Sequence, residues 1–350
     1  MGEPALWENL TPMKKQSYQL KAGNLANMKL VTSDLPTPQP HEISIGIKTI
    51  GLNFADCFAI WGLYSATPKG IFTPGLEYAG EVIAVGADVN DFKVGDKVMG
   101  ITRFGAYTTH LNIDQRYVTL LPPGWSFEVG AAFLVQVLTA YYGLIPLGNL
   151  QKNATVLIHS AAGGVGLLAN KIAKKYNAYT IGTVGSPAKV DFLKQEGYDQ
   201  TIVRGDDFAE KLKTTLGQRE LNVIMECIGG KIFTEGFKQL APQGRLVIYG
   251  SARYASPGDK PNYVKLMYQH FTRPKIDPQN LIHENKAIMG FNLIWLYEQA
   301  ELMRTILTEV EALQLSPPHV GHTFDFKDLP EAIRFFQTGK TIGKVVVNVG

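Results

Sequence analysis

At 350 residues, 45% hydrophobic and 19% charged, the chain has room for two domains with separate cores and the composition of a soluble globular protein. A net charge of +3 with no long basic run argues against nucleic acid as the main partner and leaves weak contact with an anionic membrane open. Two cysteines, Cys57 and Cys227, exclude a disulfide framework and suit a reducing cytoplasm.

The opening stretch Met1-Gly-Glu-Pro-Ala-Leu6 has neither a basic nor an apolar signal region, and Leu6 stands where a myristoylation pattern wants Ser or Thr. No leader and no lipid anchor are expected there. The first third of the chain is rich in Gly, Pro and short β-type runs, such as Ile43–Ile50, Tyr78–Val85 and Ala106–Ile113. That style predicts an antiparallel barrel or partly open sheet. The apolar run Ala131–Gly148 holds Gln136 and Pro146 and reads as a buried helix rather than a membrane span.

From Phe133 the pattern changes. Apolar strands at Thr155–His159, Tyr179–Val184, Gln200–Arg204, Val223–Glu226, Arg245–Tyr249 and Ala287–Gly290 alternate with helices, which predicts a doubly wound parallel sheet of the Rossmann kind. Its first turn, Ser160-Ala-Ala-Gly-Gly-Val-Gly166, links a strand to a helix that carries Val165, Leu168, Ile172 and Tyr176 on one face. Small residues there allow a tight turn, close approach of backbone to a pyrophosphate and tight helix-on-strand packing. Ala162, Gly163, Gly164, Val165 and Gly166 then present free N–H groups and a positive dipole end to the phosphates of a nicotinamide dinucleotide.

The tail returns to another style, with a helix from about Leu296 to Ala312, a β run Val320–Phe326, a helix Leu329–Gln337 and a last strand Gly343–Val349. That strand needs a partner, and the N-terminal sheet is the available one. The expected division is therefore 1–134 with 294–350 as one discontinuous domain, and 135–293 as the dinucleotide-binding domain.

Several motifs carry a family resemblance over nearly the whole chain. They are Gly51-Leu-Asn-Phe-Ala-Asp56, Gly62-Leu-Tyr64, Pro74–Gly80, Val94–Val98, the Ala161–Gly166 turn and Gly339–Val345. Together they resemble a medium-chain dehydrogenase/reductase of the zinc-free quinone oxidoreductase branch. Leu144–Leu150, Arg273–Pro278 and Gly290–Leu293 are most similar to its vesicle amine transport protein subgroup. The resemblance implies an α/β Rossmann domain beside a discontinuous, mainly-β GroES-like catalytic domain. In the turn, Ser160 replaces the branch's usual Ala or Gly.

Zinc enzymes of the superfamily hold the metal at positions that match Asn53, Leu76 and Val135 here, and only Glu77 remains as a ligand type. With two cysteines a four-Cys structural lobe is impossible. His319 and His322 form the one close His pair, in a β-type setting without nearby Cys, and read as ordinary polarity; no metal site is expected. Without a Lewis acid, hydride addition to a plain ketone would lack charge stabilisation. A quinone or an α,β-unsaturated carbonyl spreads that charge itself and needs only one or two hydrogen-bond donors. The resemblance offers Tyr64 and Asn53, with Phe58 where a second tyrosine often stands. Tyr64 can equally be read as a core aromatic.

An NAD-specific fold places an acid about 20 residues past the Gly turn. Here the stretch Thr183-Val-Gly-Ser-Pro-Ala-Lys189, with Ser186 at its centre, has none, which favours NADPH. Lys189 matches a lysine that related reductases use on the 2′-phosphate, and Arg204 adds a planar fork. Either cation also reads as a solvated charge. Gly250 and Ser251 follow a strand's C-terminal end, where ligands of open α/β sheets sit. Thr139 and Lys344 resemble family residues near the nicotinamide and the cleft, and Phe291 and Asn292 are expected to hold the carboxamide end.

Two functions remain open at this level. One is an NADPH-dependent reductase of quinones or enals and enones. The other is a membrane-trafficking or binding protein that keeps the fold and cofactor site with little turnover. The segment Tyr254–Glu284, with Val264–Phe271, could be a lid, a partner surface, a peripheral membrane contact or a packed insertion. The family inference adds a homodimer through the edge of the nucleotide-binding sheet, where Arg245–Tyr249 and Ala287–Gly290 come last.

Overall fold

The structure, a computed structural model, describes residues 13–350, so the Met1–Leu6 stretch lies outside the described residues. The chain forms two compact units. One comprises the chain up to Ala131 with Phe324–Pro330 and Val346–Gly350; the other comprises Ala132–Thr323 with Glu331–Val345.

In the first unit the strand Glu42–Gly51 pairs antiparallel with Glu77–Val85, which pairs in turn with Lys97–Ile101. Ile43, Ile45, Ile47 and Ile50 are at most 2% exposed, so the β-branched run forms the sheet's core. The chain end closes the same sheet, with Val346 opposite Gly51 and Asn348 opposite Thr49. The expected pairing of the last strand with the N-terminal sheet is therefore present. The β run expected at Ala106–Ile113 begins later, at His110, and extends to Asp114. Its first residues instead fold onto the Pro74 loop, the Tyr107 N–H donating to the Pro74 carbonyl at 2.9 Å.

The second unit is a six-stranded parallel sheet in the order Gln200–Val203, Tyr179–Val184, Thr155–Ile158, Leu221–Glu226, Leu240–Ile248, Ala287–Gly290. Val156, Leu157 and Ile158 have no exposure, as expected of a parallel strand covered on both faces. Strand order reverses between Thr155–Ile158 and Leu221–Glu226, which makes their C-terminal ends the switch point where open α/β sheets bind ligands. The fifth strand starts at Leu240, five residues before its expected start at Arg245. The helix expected from Leu296 to Ala312 is two, Leu293–Leu296 and Ala300–Ala312, separated where Gln299 leaves the helical region at φ −108°, ψ 56°.

The run Ala131–Gly148 is also divided. The helix Leu134–Tyr142 passes into a π-helical turn at Gly143–Leu147, around Pro146, whose ring nitrogen donates nothing. Residues 127–147 are long and apolar enough to cross a membrane by length and composition, yet 72% of the most apolar window is buried inside the protein. Between Tyr254 and Glu284 lie two short helices, Tyr263–Phe271 and Pro278–Glu284. Tyr263, Val264, Met267, Tyr268, Phe271 and Ile282 are all exposed there.

Candidate functional site

The Gly-rich turn sits at the end of the first strand of the parallel sheet, at the switch point. Ser160 adopts φ +50°, a conformation L residues rarely take, and its carbonyl accepts the Gly163 N–H at 2.9 Å to close the turn. The helix Gly164–Lys175 begins behind it, and no side chain caps Gly163. Its first N–H groups have no intrahelical acceptor and lie where an anion would meet a positive dipole end. A Cβ on Gly166 would fall 2.7 Å from the Ala161 Cα and from the Ala161 and Ser160 carbonyl oxygens, so only glycine lets helix and turn pack this closely. Leu168 and Ile172 are buried as the helical spacing requires, whereas Val165 and Tyr176 are half-buried.

A second loop lies against this turn. The Gly343 N–H donates to the Ala162 carbonyl at 2.8 Å, at a φ of +65° that favours glycine. Lys344 follows, its backbone N–H on the His319 carbonyl at 2.9 Å and its side chain buried beside Gly164. Lys189 anchors the same loop, donating from Nζ to the Gly339 and Thr341 carbonyls, both at 2.7 Å. Burial and the nearby Arg204 lower its pKa.

Arg204 follows the strand Gln200–Val203, and one terminal nitrogen donates to the Thr183 carbonyl at 3.0 Å and to Thr183 Oγ1 at 2.8 Å. Burial lowers its pKa as well, while Cys227, Glu226 and Tyr249 act in the opposite direction. Ser186 caps the one-turn helix Pro187–Lys189 by accepting the Ala188 N–H at 3.4 Å. The corner between Thr183 and Lys189 thus brings together Ser186, Lys189 and Arg204, with Gly185 exposed between them and no carboxylate in the sequence stretch.

Thr139, in the helix Leu134–Tyr142, returns its hydroxyl to the Val135 carbonyl at 2.6 Å. Gly250 packs on Cys227 so that a Cβ would lie 3.1 Å from the cysteine's own, and Ser251 is exposed beyond it. The Phe291 ring meets Tyr142 edge-on at 5.1 Å, the Phe291 backbone N–H donates to the Ile248 carbonyl, and Asn292 holds the N-cap position of the helix Leu293–Leu296 without a side-chain capping bond.

In the first unit, Asn53 precedes the helix Phe54–Trp61 and is 6% exposed. Its backbone N–H donates to Asp56 Oδ2 at 2.8 Å, and the same carboxylate oxygen accepts the Tyr107 hydroxyl at 2.9 Å. The Asn53 amide nitrogen donates to the Gly51 carbonyl at 3.3 Å and to Glu77 Oε1 at 3.0 Å. Tyr64, beyond the Gly62 cap of that helix, is half-buried with its ring edge-on to Phe104. Phe58 packs edge-on to Phe54 and Trp61.

Among the described residues, no group of three His, Cys, Asp or Glu side chains is placed to hold a metal ion. His319 packs on Phe192 and His322 on Phe335, at 4.9 and 4.8 Å between ring centres. Nothing in the periodicity singles out three further polar residues at the switch point, His159, Thr183 and Glu226. All are at most 1% exposed. The only sequence signal is a polar side chain in or at the end of three otherwise apolar strands.

Two family profiles match the chain, an alcohol dehydrogenase GroES-like domain over residues 39–130 and a zinc-binding dehydrogenase over 164–307. The human synaptic vesicle membrane protein VAT-1 homolog is 33% identical over 319 residues, 90% of this chain and 81% of that protein. The structure is similar to a quinone oxidoreductase from Pseudomonas syringae, with a TM-score of 0.81 and 27% identity over 95% of this chain and 99% of that one. A mycobacterial protein complexed with NADPH gives a TM-score of 0.82 and 25% identity over the same shares.

Proposed function

The chain belongs to the medium-chain dehydrogenase/reductase family, among the VAT-1 homologues, and from that premise we propose that it is an NADPH-dependent reductase of quinones or α,β-unsaturated carbonyls that works without a metal ion. One observation carries the reading. The helix start at Gly163–Gly166 has a glycine as its N-cap, which brings no capping side chain, and is packed too closely for a Cβ at Gly166, as a pyrophosphate cradle requires. The neighbouring corner adds two cations and no acid, which suits a 2′-phosphate and disfavours a bare ribose.

NADPH, when bound, supplies the hydride. Ala162–Gly166 hold its pyrophosphate, Ser186, Lys189 and Arg204 its 2′-phosphate, and Thr139, Gly250, Ser251, Phe291, Asn292 and Lys344 the nicotinamide half. A similar solved structure is complexed with NADPH, which supports this choice. The positions that match the superfamily's zinc ligands include Leu76 and Val135, whose aliphatic side chains coordinate nothing. Charge developing on the acceptor oxygen must then be met by neutral donors. Tyr64 and Asn53 are the candidates, and the Asn53 amide also donates to Gly51 and Glu77. The phenol hydroxyl of Tyr64 is a neutral donor of the kind such an oxygen needs.

NADPH oxidation measured against a panel of quinones, enals and enones tests the proposal, with NADH as comparison and a chelator as control. Turnover with NADPH that survives chelation is expected. No turnover across the panel sinks the enzymatic reading and favours the alternative, a binding or membrane-trafficking protein that keeps the fold. The exposed apolar side chains between Tyr263 and Phe271 are the observation behind that alternative.

A further inference from the structure

Four polar side chains line up along the C-terminal ends of four neighbouring parallel strands, in the order of the strands themselves. Arg204 follows Gln200–Val203, Thr183 belongs to Tyr179–Val184, His159 follows Thr155–Ile158, and Glu226 ends Leu221–Glu226. Arg204 donates to Thr183 Oγ1 at 2.8 Å, the same hydroxyl lies 2.8 Å from His159 Nδ1, and His159 Nε2 faces Glu226 Oε2 at 3.3 Å, near enough for electrostatic attraction but outside hydrogen-bond geometry. The other Glu226 oxygen accepts the backbone N–H groups of Ile228 and Gly229.

The direction of every proton in this line follows from its ends. A guanidinium only donates, so Thr183 Oγ1 accepts from Arg204 and its own hydrogen is left to donate to His159 Nδ1. Nδ1 is therefore the bare nitrogen, and the proton sits on Nε2, toward the Glu226 carboxylate. The reverse arrangement leaves the threonine hydrogen without an acceptor and sets a bare imidazole nitrogen against a carboxylate oxygen. A neutral imidazole is also what burial and the positive charge of Arg204 enforce, holding the His159 pKa down at about 3.

We propose that Thr183 is a positioning residue that aims the Arg204 guanidinium, backed by the buried His159–Glu226 pair, and so sets the preference for a 2′-phosphorylated dinucleotide. This rests on the dinucleotide reading given above. One terminal nitrogen of Arg204 is fixed by both oxygens of Thr183, while the other lies beside Gly185, 3.4 Å from where a Cβ would stand. The second terminal nitrogen and Nε are left for an anion at the exposed Gly185–Ser186 corner. Lys189, by contrast, already has two carbonyl partners, Gly339 and Thr341. Without the Thr183 hydroxyl, that nitrogen keeps only the Thr183 carbonyl of its two acceptors, and the guanidinium is held less firmly toward Gly185.

The test compares wild type, Thr183→Val, Thr183→Ser and Arg204→Gln as full-length proteins. Calorimetric titration gives the affinity for NADPH, NADH and the fragments 2′,5′-ADP and 5′-AMP, and thermal unfolding monitors folding. Thr183→Val should lower the NADPH and 2′,5′-ADP affinities by about tenfold, as Arg204→Gln does, with NADH and 5′-AMP nearly unchanged. Thr183→Ser should restore the preference, which a merely structural role of the side chain would not predict. A folded Thr183→Val protein that keeps its preference, while Arg204→Gln loses it, overturns the positioning role and leaves the cofactor reading standing. Wild type that binds neither NADPH nor 2′,5′-ADP overturns both. If Thr183→Val fails to fold, nitrogen-15 spectra of wild-type His159 still decide: Nε2 protonated and Nδ1 bare at neutral pH is expected, and the opposite tautomer or an imidazolium overturns the relay.

Discussion

Gly166 and Ala161 touch along their backbones. A Cβ on Gly166 would lie 2.7 Å from both the Cα and the carbonyl oxygen of Ala161, well inside any real carbon contact. The close approach locks the first turn of the helix Gly164–Lys175 over the end of the strand Thr155–Ile158 and aims the helix start at the space beyond the turn. Because the obstacle is backbone, it cannot be relieved by a rotamer change.

Gly166→Ala should therefore destabilise the protein by roughly 1–3 kcal/mol, the usual cost of overpacking, and abolish dinucleotide binding in the fraction that folds. Chemical denaturation together with NADPH titration checks it. Wild-type stability and affinity in this variant would contradict the close-packing account.

Lys189→Ala should weaken NADPH about tenfold, the size of one charge-assisted contact, and barely change NADH. The same ammonium holds the Gly339 and Thr341 carbonyls, so an equal loss for both cofactors would assign Lys189 to loop anchoring alone.

Tyr64→Phe should lower kcat by about tenfold to a hundredfold and leave NADPH affinity intact, because the conjugated acceptor already carries most of the developing charge. Asn53→Ala should reduce turnover and also stability, since it removes the contacts to Gly51 and Glu77. Steady-state reduction of a quinone and an enone, with thermal unfolding alongside, separates the two. If neither variant changes the rate while the fold is intact, neither residue is an electrophilic donor.

Stability should depend on pH through His159. Its folded pKa of about 3 lies below the ordinary 6.5, so the unfolded chain binds a proton that the native protein does not. Stability is then complete above pH 6.5 and declines toward pH 3, by up to about 1.4 kcal/mol per pH unit. Burial raises the Glu226 pKa, and that group acts in the opposite sense by taking up a proton on folding as the pH falls toward 4.5. Urea melts between pH 7 and 5 on wild type and His159→Gln isolate the histidine's share, and the decline should be shallower in the variant. An unchanged slope in the variant would remove His159 as its source.

The strand Ala287–Gly290 is the last of the parallel sheet and has one side unpaired among the described residues. Such an edge calls for cover, and pairing with a second copy provides it. Sedimentation at micromolar concentration should give a dimer, and a proline at Met289 should favour monomer. A wild-type monomer under those conditions would count against it.

Much of the fold could be read from the chain because its signals are local. Apolar runs of four to six residues separated by helical spacing place Tyr179–Val184 and Ala287–Gly290 at their observed bounds, since strand and helix periods differ and glycine marks the turns. The helix around Leu296 carries no such signal, because the break at Gln299 involves neither Gly nor Pro.

The candidate site divides the same way. Sequence by itself determined the Gly-rich turn, the missing acid after the second strand and the need for the last strand to pair with the N-terminal sheet, because each depends on residue type at a short spacing or on one unpartnered element. Only the tertiary structure decided what the charged groups do. It set the Lys189 ammonium on two carbonyls about 150 residues away in sequence, gave the Asn53 amide two acceptors, and joined Arg204, Thr183, His159 and Glu226 into one buried line. Those partners come from different strands and loops, and which hydrogen bonds a buried polar group makes depends on what the packed sheet brings beside it.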